Sequence, residues 1–261
     1  MLFIIAADHT ARGMLGLGSD KTAMANRRSM LERIVTALEN PRVDGVLGSA
    51  DVLDDLVLLG ALEDRVAVGT MNRGGLSGAR WELDDRFTAY DAGHVVSMNL
   101  DAGKVLLRID DRDEGTVPTL ESCARAVQEL NDHQLLAMIE PIPYTKNADG
   151  QAIWDKEPIK LLRAVAVSAA LGGSSAYTWL KIQATADIKM VAATTNQPLL
   201  LLGGPPGPDP EETFATWESA LSEPTVRGLV VGRALLYPPD NEVAAAVHRA
   251  AALVEAAAAK R

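Results

Sequence analysis

Residues 198–204 read PLLLLGG, and after one polar stretch residues 227–233 read RGLVVGR. Each is a short apolar run closed by glycine, the composition of a strand buried on both faces. Between them Asp209-Pro210-Glu211 reads as an N-cap, a first-turn proline and a first-turn acid opening a helix. Strand, helix, strand is the repeating unit of a parallel sheet. The same unit recurs upstream, with LFIIAAD at 2–8, DGVLGS at 44–49, RVAVGTM at 65–71, GKVLLRI at 103–109, LLAMIE at 135–140 and YTWLKIQ at 177–183. Apolar residues at spacings of three and four predict helices over 27–38, 50–59, 119–131, 158–171 and 242–258. Eight strands in 261 residues allow about 33 residues per unit, which predicts an α/β fold: one (β/α)8 TIM barrel over 1–261. The proline-rich 203–212, GGPPGPDPEE, reads as a stiff loop and not as a linker between domains.

Composition narrows the function classes. Apolar residues make up 48% of the chain and charged residues 23%, as in ordinary soluble proteins. A net charge of -10 argues against a nucleic-acid surface, while leaving room for a local basic pocket. The single cysteine, Cys123, rules out an internal disulfide and fits a reducing cytoplasm. It falls in a predicted helix and reads as a small core residue. The opening MLFIIAADHTARG reaches Asp8 too soon for a signal peptide or a membrane span, so no membrane partner is expected. His9, His94, His133 and His248 form no HxH or HxxxH pair, so no metal site is expected. A homo-oligomer is compatible with the sequence.

In a parallel barrel the working groups sit at the carboxyl ends of the strands. The predicted strands place Asp8-His9, Lys104, Arg108, Glu140 and Lys181 there. Period-2 alternation puts Lys181 on one face with Tyr177 and Trp179, Lys104 and Arg108 with Leu106, Glu140 with Leu136 and Met138, and Asp8 with Ile4 and Ala6. If those faces point inward, two lysines, two carboxylates and an arginine meet in one mouth. Desolvation lowers a lysine pKa, and a neutral amine is a nucleophile. An exposed edge-strand lysine, or an ion-pair network filling the barrel, satisfies the same pattern. Gly203-Gly204 and Gly232-Arg233 close the last two strands, where barrels bind phosphate through backbone N–H groups, with Arg233 adding charge and Arg108 a further substrate- or phosphate-binding candidate. Tight turns alone are the competing account. RGMLGLGSDK at 12–21 has neither the dinucleotide nor the P-loop spacing and reads as a mobile loop covering a site.

Four segments, AADHTARG, GKVLLRIDDRD, LLAMIEPIPY and WLKIQ, followed by VVGRALLYP, resemble the lysine-dependent class I aldolases. The nearer likeness is to the group of tagatose-bisphosphate and sulfofructose-phosphate aldolases and their inositol-catabolic relatives, and it runs through most of the chain. This resemblance implies a Schiff-base amine at Lys181, a proton shuttle at Glu140, an assisting lysine at Lys104 and an orienting carboxylate at Asp8. It implies a phosphorylated sugar as small-molecule partner, with no cofactor. The chain departs from the group at His9-Thr10, where glutamine and arginine are commoner, and at Leu202-Gly203-Gly204, where a serine is common. The implied substrate is a phosphorylated ketose or keto sugar acid, with 5-dehydro-2-deoxyphosphogluconate ahead of ketohexose bisphosphates and sulfofructose phosphate. A deoxyribose-phosphate-type aldolase and a non-catalytic sugar-phosphate-binding barrel are the alternatives.

Overall fold

A computed structural model of the chain describes residues 1–204 and 209–261. Eight parallel strands close on themselves: β1 (Leu2–Ala7), β2 (Gly45–Gly48), β3 (Val66–Thr70), β4 (Ala102–Ile109), β5 (Leu136–Lys146), β7 (Thr178–Gln183), β8 (Leu199–Leu202) and β9 (Val226–Val231). Their order is β4-β3-β2-β1-β9-β8-β7-β5, and β4 pairs with β5 to complete the ring. The (β/α)8 barrel is therefore the observed fold, and all eight predicted strands are in it. A ninth strand, β6 (Ala152–Trp154), turns back antiparallel on the end of β5 and stands outside the ring.

The longest disagreement with the sequence reading is β5, expected to end at Glu140 and continuing to Lys146. Pro141 and Pro143 look like strand terminators because proline has no N–H for the ladder. Ala137 donates its N–H to the Tyr177 carbonyl on the β7 side, so residues of the same parity face that side. Pairing with β7 ends at Ile139, and the two prolines fall just beyond it. Their missing donors interrupt no ladder. On the other edge β5 stays paired with β4 as far as Pro143 opposite Ile109.

Helices α1 (Arg27–Leu38), α2 (Ala50–Leu58), α4 (Thr116–Asp132), α5 (Pro158–Ala169), α7 (Pro210–Leu221) and α9 (Val243–Ala259) surround the ring where the sequence places helices. Three short ones, α3 (Ala92–Ser97), α6 (Ile188–Ala192) and α8 (Arg233–Leu236), carry too few residues to show a period. Helix α7 opens as its sequence predicts, with Asp209 accepting from the Glu211 N–H. Helix α4 begins earlier than expected, at Thr116, because Pro118 sits in the first turn, where its missing N–H has no partner to lose. Among the described residues no helix is long and apolar enough to cross a membrane.

Strand alternation sorts the core into two clusters. Phe3, Ile5, Val46, Leu107, Ile139, Leu180 and Leu201 face outward and pack under the helices. Ile4, Ala6, Leu47, Val68, Ala102, Met138, Leu200 and Val230 face inward and form a separate apolar plug. Lys104, Glu140 and Lys181 each continue an inward face by one further step toward the carboxyl end. The ring thus delivers them above the plug. Pro205, Pro206, Gly207 and Pro208, the centre of the predicted stiff loop, lie outside the described residues.

Candidate active site

Lys104, Glu140 and Lys181 come from adjacent strands of the ring and are all buried, Lys104 at 2% and Lys181 at 3% exposure. Glu140 sits opposite Leu106 in the β4–β5 register, one inward step above Lys104 and Met138. One of its oxygens pairs with Lys104, and the other lies 3.1 Å from the Lys181 ammonium nitrogen. Asp8, one residue past β1, reaches Lys104 at 3.3 Å from across the ring. The two lysines and two carboxylates expected to converge do converge, and they share one network.

The electrostatics follow from burial and neighbours. Desolvation pushes the Glu140 carboxyl up, but Lys104 and Lys181 outweigh it and bring its pKa down to about 2. Asp8 is likewise held well below the carboxylate range, with burial opposed by Lys104 and Arg73. Burial lowers Lys104, partly offset by Asp8 and Glu140 and reinforced by the positive Lys181. Both carboxylates are ionised at neutral pH. Glu140 can accept a proton, and the low-dielectric setting strengthens every contact among the four groups.

Around this centre lies a cavity of about 250 Å³. Its wall on the β3–β4 side holds residues the sequence reading did not select. Arg73 follows β3 closely and pairs with Asp8 at 3.0 Å. It satisfies the same strand-end rule that selects Asp8, so a stricter application would have found it. Glu82 and Asp85 come from the aperiodic loop joining β3 to α3, where no pattern marks them. Asn72 anchors that loop by bonding both the N–H and the carbonyl of Leu106, as a neighbouring strand would. Arg108 does point inward as its parity predicts. Its Nη1 lies 2.7 Å from Glu82, and its Nη2 donates to the Gly75 carbonyl at 2.8 Å, with Tyr144 beside it. Arg12, first residue of the loop expected to be mobile, is fixed in the same wall by Asp85 at 2.6 Å. Met14, two residues on, lines the cavity.

Across the ring, β8 and β9 end in Gly203, Gly204, Gly232 and Arg233, and all four line the cavity. Gly204 has φ +65, and a side chain at Gly232 would put its Cβ 2.1 Å from the Ala6 carbonyl oxygen. The positive φ favours glycine at 204 and the close approach requires it at 232, which fits the turn account. Arg233 is pulled below its ordinary pKa by burial. Its Nε is buried without a hydrogen-bond partner among the described residues. His9 lies against this corner, and burial followed by the Arg233 charge lowers its pKa to about 3. Its imidazole is neutral at physiological pH.

A family profile described as Cgl0159-like matches residues 1–251. The crystal structure of Cgl0159 from Corynebacterium glutamicum is 50% identical, with a TM-score of 0.95 over 98% of this chain and 85% of that one. The chain belongs to the Cgl0159-like family. No curated protein matches it. An archaeal fructose 1,6-bisphosphate aldolase superposes with TM-score 0.73 at 17% identity, covering 98% of this chain and 94% of that one. A Schiff-base-forming fructose-1,6-bisphosphate aldolase gives 0.71 at 18%, covering 97% and 94%. At such identities the likeness is one of fold, so chemistry in this family has to be read from the site itself.

Proposed function

We propose that this protein is a class I aldolase, akin to the tagatose-bisphosphate and sulfofructose-phosphate group, that cleaves a phosphorylated ketose or keto sugar acid into glycerone phosphate and an aldehyde. The reading is carried by one observation: Lys181 lies buried at the carboxyl end of the barrel with its amine 3.1 Å from Glu140, whose second oxygen holds Lys104. The two fructose-bisphosphate aldolase structures described above share the barrel and include a Schiff-base former.

Lys181 sheds a proton to Glu140 and adds through its lone pair to the substrate ketone, and Glu140 returns that proton to the carbinolamine hydroxyl. The carbinolamine loses water, leaving a protonated imine. Glu140 takes the proton from the hydroxyl whose carbon becomes the aldehyde. That O–H pair forms the new C=O, and the electrons of the breaking carbon–carbon bond move into the imine as an enamine. The enamine regains a proton at carbon, and water hydrolyses the resulting imine to release glycerone phosphate and the free amine. Lys104 holds one Glu140 oxygen and, with Lys181, keeps that carboxylate ionised. Asp8 holds a substrate hydroxyl. Gly203, Gly204, Gly232 and Arg233 anchor the phosphate, whose binding fixes the ketone beside the amine. The lead substrate is 5-dehydro-2-deoxyphosphogluconate.

Borohydride reduction in the presence of glycerone phosphate tests the reading. A stable mass adduct on the peptide carrying Lys181, absent from Lys181→Met, is expected. An adduct on another lysine, or none, refutes it.

A further inference from the structure

The cavity's cations are unequally neutralised. Arg12, Arg73, Lys104, Arg108 and Lys181 each have a carboxylate within ion-pair distance, whereas Arg233 has none among the described residues. Strands β8 and β9, which carry the glycine turns and lead into Arg233, lie across the ring from β3 and β4, whose wall holds the matched arginines. The cavity therefore has one cationic pole and one neutral one.

The neutral pole is fixed. Glu82 accepts from the Gly78 N–H at 2.8 Å while pairing with Arg108. Asp85 accepts from the Gly75 N–H at 2.8 Å while pairing with Arg12, and its own N–H donates to the Thr119 hydroxyl at 2.9 Å. Moving either carboxylate would take from a buried arginine its nearest counter-ion and from a backbone N–H its acceptor. A phosphate brought to this wall would meet anchored carboxylates in a low-dielectric setting, and like charges repel strongly there. Hydroxyl groups fit it better, since Glu82 offers acceptor oxygens and Trp154 brings a buried indole N–H with no partner among the described residues.

We infer that the site takes a substrate with a single phosphate, carried on the ketone half at the Arg233 pole, and that the aldehyde it releases bears no phosphate. This rests on the aldolase reading above and sets the chain apart from enzymes that cleave sugar bisphosphates.

Calorimetric titration with inorganic phosphate, on the free protein and on protein reduced with glycerone phosphate, tests it. The expected stoichiometry is one phosphate on the free protein, weakened at least tenfold by Arg233→Ala, and none on the protein whose ketone half is filled. Glu82→Gln, which removes the nearer counter-ion of Arg108 and leaves it only Asp85 at 3.5 Å, is expected to restore a phosphate to the filled protein. Should Glu82→Gln fail to fold, Asp85→Asn unmatches Arg12 in the same wall. Two phosphates on the free protein, none at all, one that survives Arg233→Ala, or one on the filled unmodified protein would each overturn the inference. The borohydride adduct judges the aldolase reading separately. An adduct with two phosphates sinks only the inference, whereas one phosphate without any adduct overturns the aldolase chemistry, and with it the statement about the aldehyde, and leaves only the single phosphate pole at Arg233.

Discussion

The lower and upper halves of the barrel interior are built on the same strands with the same alternation, yet they hold opposite chemistry. On β5 the change from Met138 to Glu140 takes one inward step, as does the change from Ala102 to Lys104 on β4 and from Trp179 to Lys181 on β7. Below, Leu47, Val68, Met138, Leu200 and Val230 close the barrel with apolar atoms. Above, Asp8, Lys104, Glu140 and Lys181 share one buried ion network. The lower layer gives the upper one its meaning. By sealing the floor it keeps the charges in a medium where their couplings are large enough to set protonation states.

If that division is real, substitutions above the boundary should remove activity and those below it stability. The sharpest case is Lys181→Met, which keeps the side chain's length and removes the amine. On the proposed chemistry, glycerone phosphate release should fall by at least about 1,000-fold, because the covalent route would be gone. Thermal unfolding should stay cooperative, since Glu140 retains Lys104 as partner. Survival of more than a few per cent of the wild-type rate would break the comparison at its centre.

Glu140→Gln should reduce kcat by about 100-fold to 10,000-fold, the range for losing a positioned acid–base group. It also sharpens the division, because it strands Lys104 and Lys181 without their shared counter-ion. Breaking a buried pair costs about 3–5 kcal/mol, reduced here because Lys104 keeps Asp8. Urea unfolding beside the kinetic assay separates the two effects. An upper-layer residue with a large structural share would show that the layers are coupled and not merely stacked.

How far the boundary could be read from sequence depends on what repeats. Strand order, closure and the inward parity of Lys104, Glu140 and Lys181 were legible because a period of two and a βα unit constrain many residues at once. Closure then forces strand-end residues far apart in the chain into one mouth. Glu82 and Asp85 were not legible, because they sit in a loop with no period and are placed by Gly75, Gly78 and two arginines from elsewhere. The neutralisation of Arg108 was hidden for the same reason: parity fixes where a side chain points, and only tertiary structure says what meets it. The run of β5 through Pro141 and Pro143 was masked because proline's effect depends on which edge of the strand has a neighbour.

Leu200→Ala probes the floor. Leu200 is fully buried in the plug opposite Lys181 in the β7–β8 register. Its truncation should lower unfolding free energy by about 2–5 kcal/mol through lost contacts and a residual cavity. Activity of the folded fraction should stay within a few-fold of wild type. A collapse of kcat at intact stability would mean that the floor positions Lys181 and does more than exclude water.

The smallest effect concerns His9, where the two layers meet the cationic pole. Its pKa of about 3 in the folded protein lies below an unfolded value of about 6.5, so between these values the unfolded chain binds a proton that the folded one refuses. Stability from this group is fully present above pH 6.5 and falls as the pH drops below it. The full slope is about 1.4 kcal/mol per pH unit, and because the unfolded imidazole is only half protonated at pH 6.5 about 1 kcal/mol between pH 6.5 and 5.5 is expected. Asp8 and Glu140 are depressed as well, but their contribution is lost only on acidification below about pH 4, outside this interval. Urea unfolding of His9→Gln at the two pH values should therefore lose most of the wild-type difference. Burial is the larger cause of the shift and the Arg233 charge the next, so Arg233→Ala should raise the pH at which the loss levels off while leaving the slope just below pH 6.5 in place. Equal slopes in wild type and His9→Gln would show that His9 protonates freely in the folded state, and that the charged upper layer does not extend to the glycine turns.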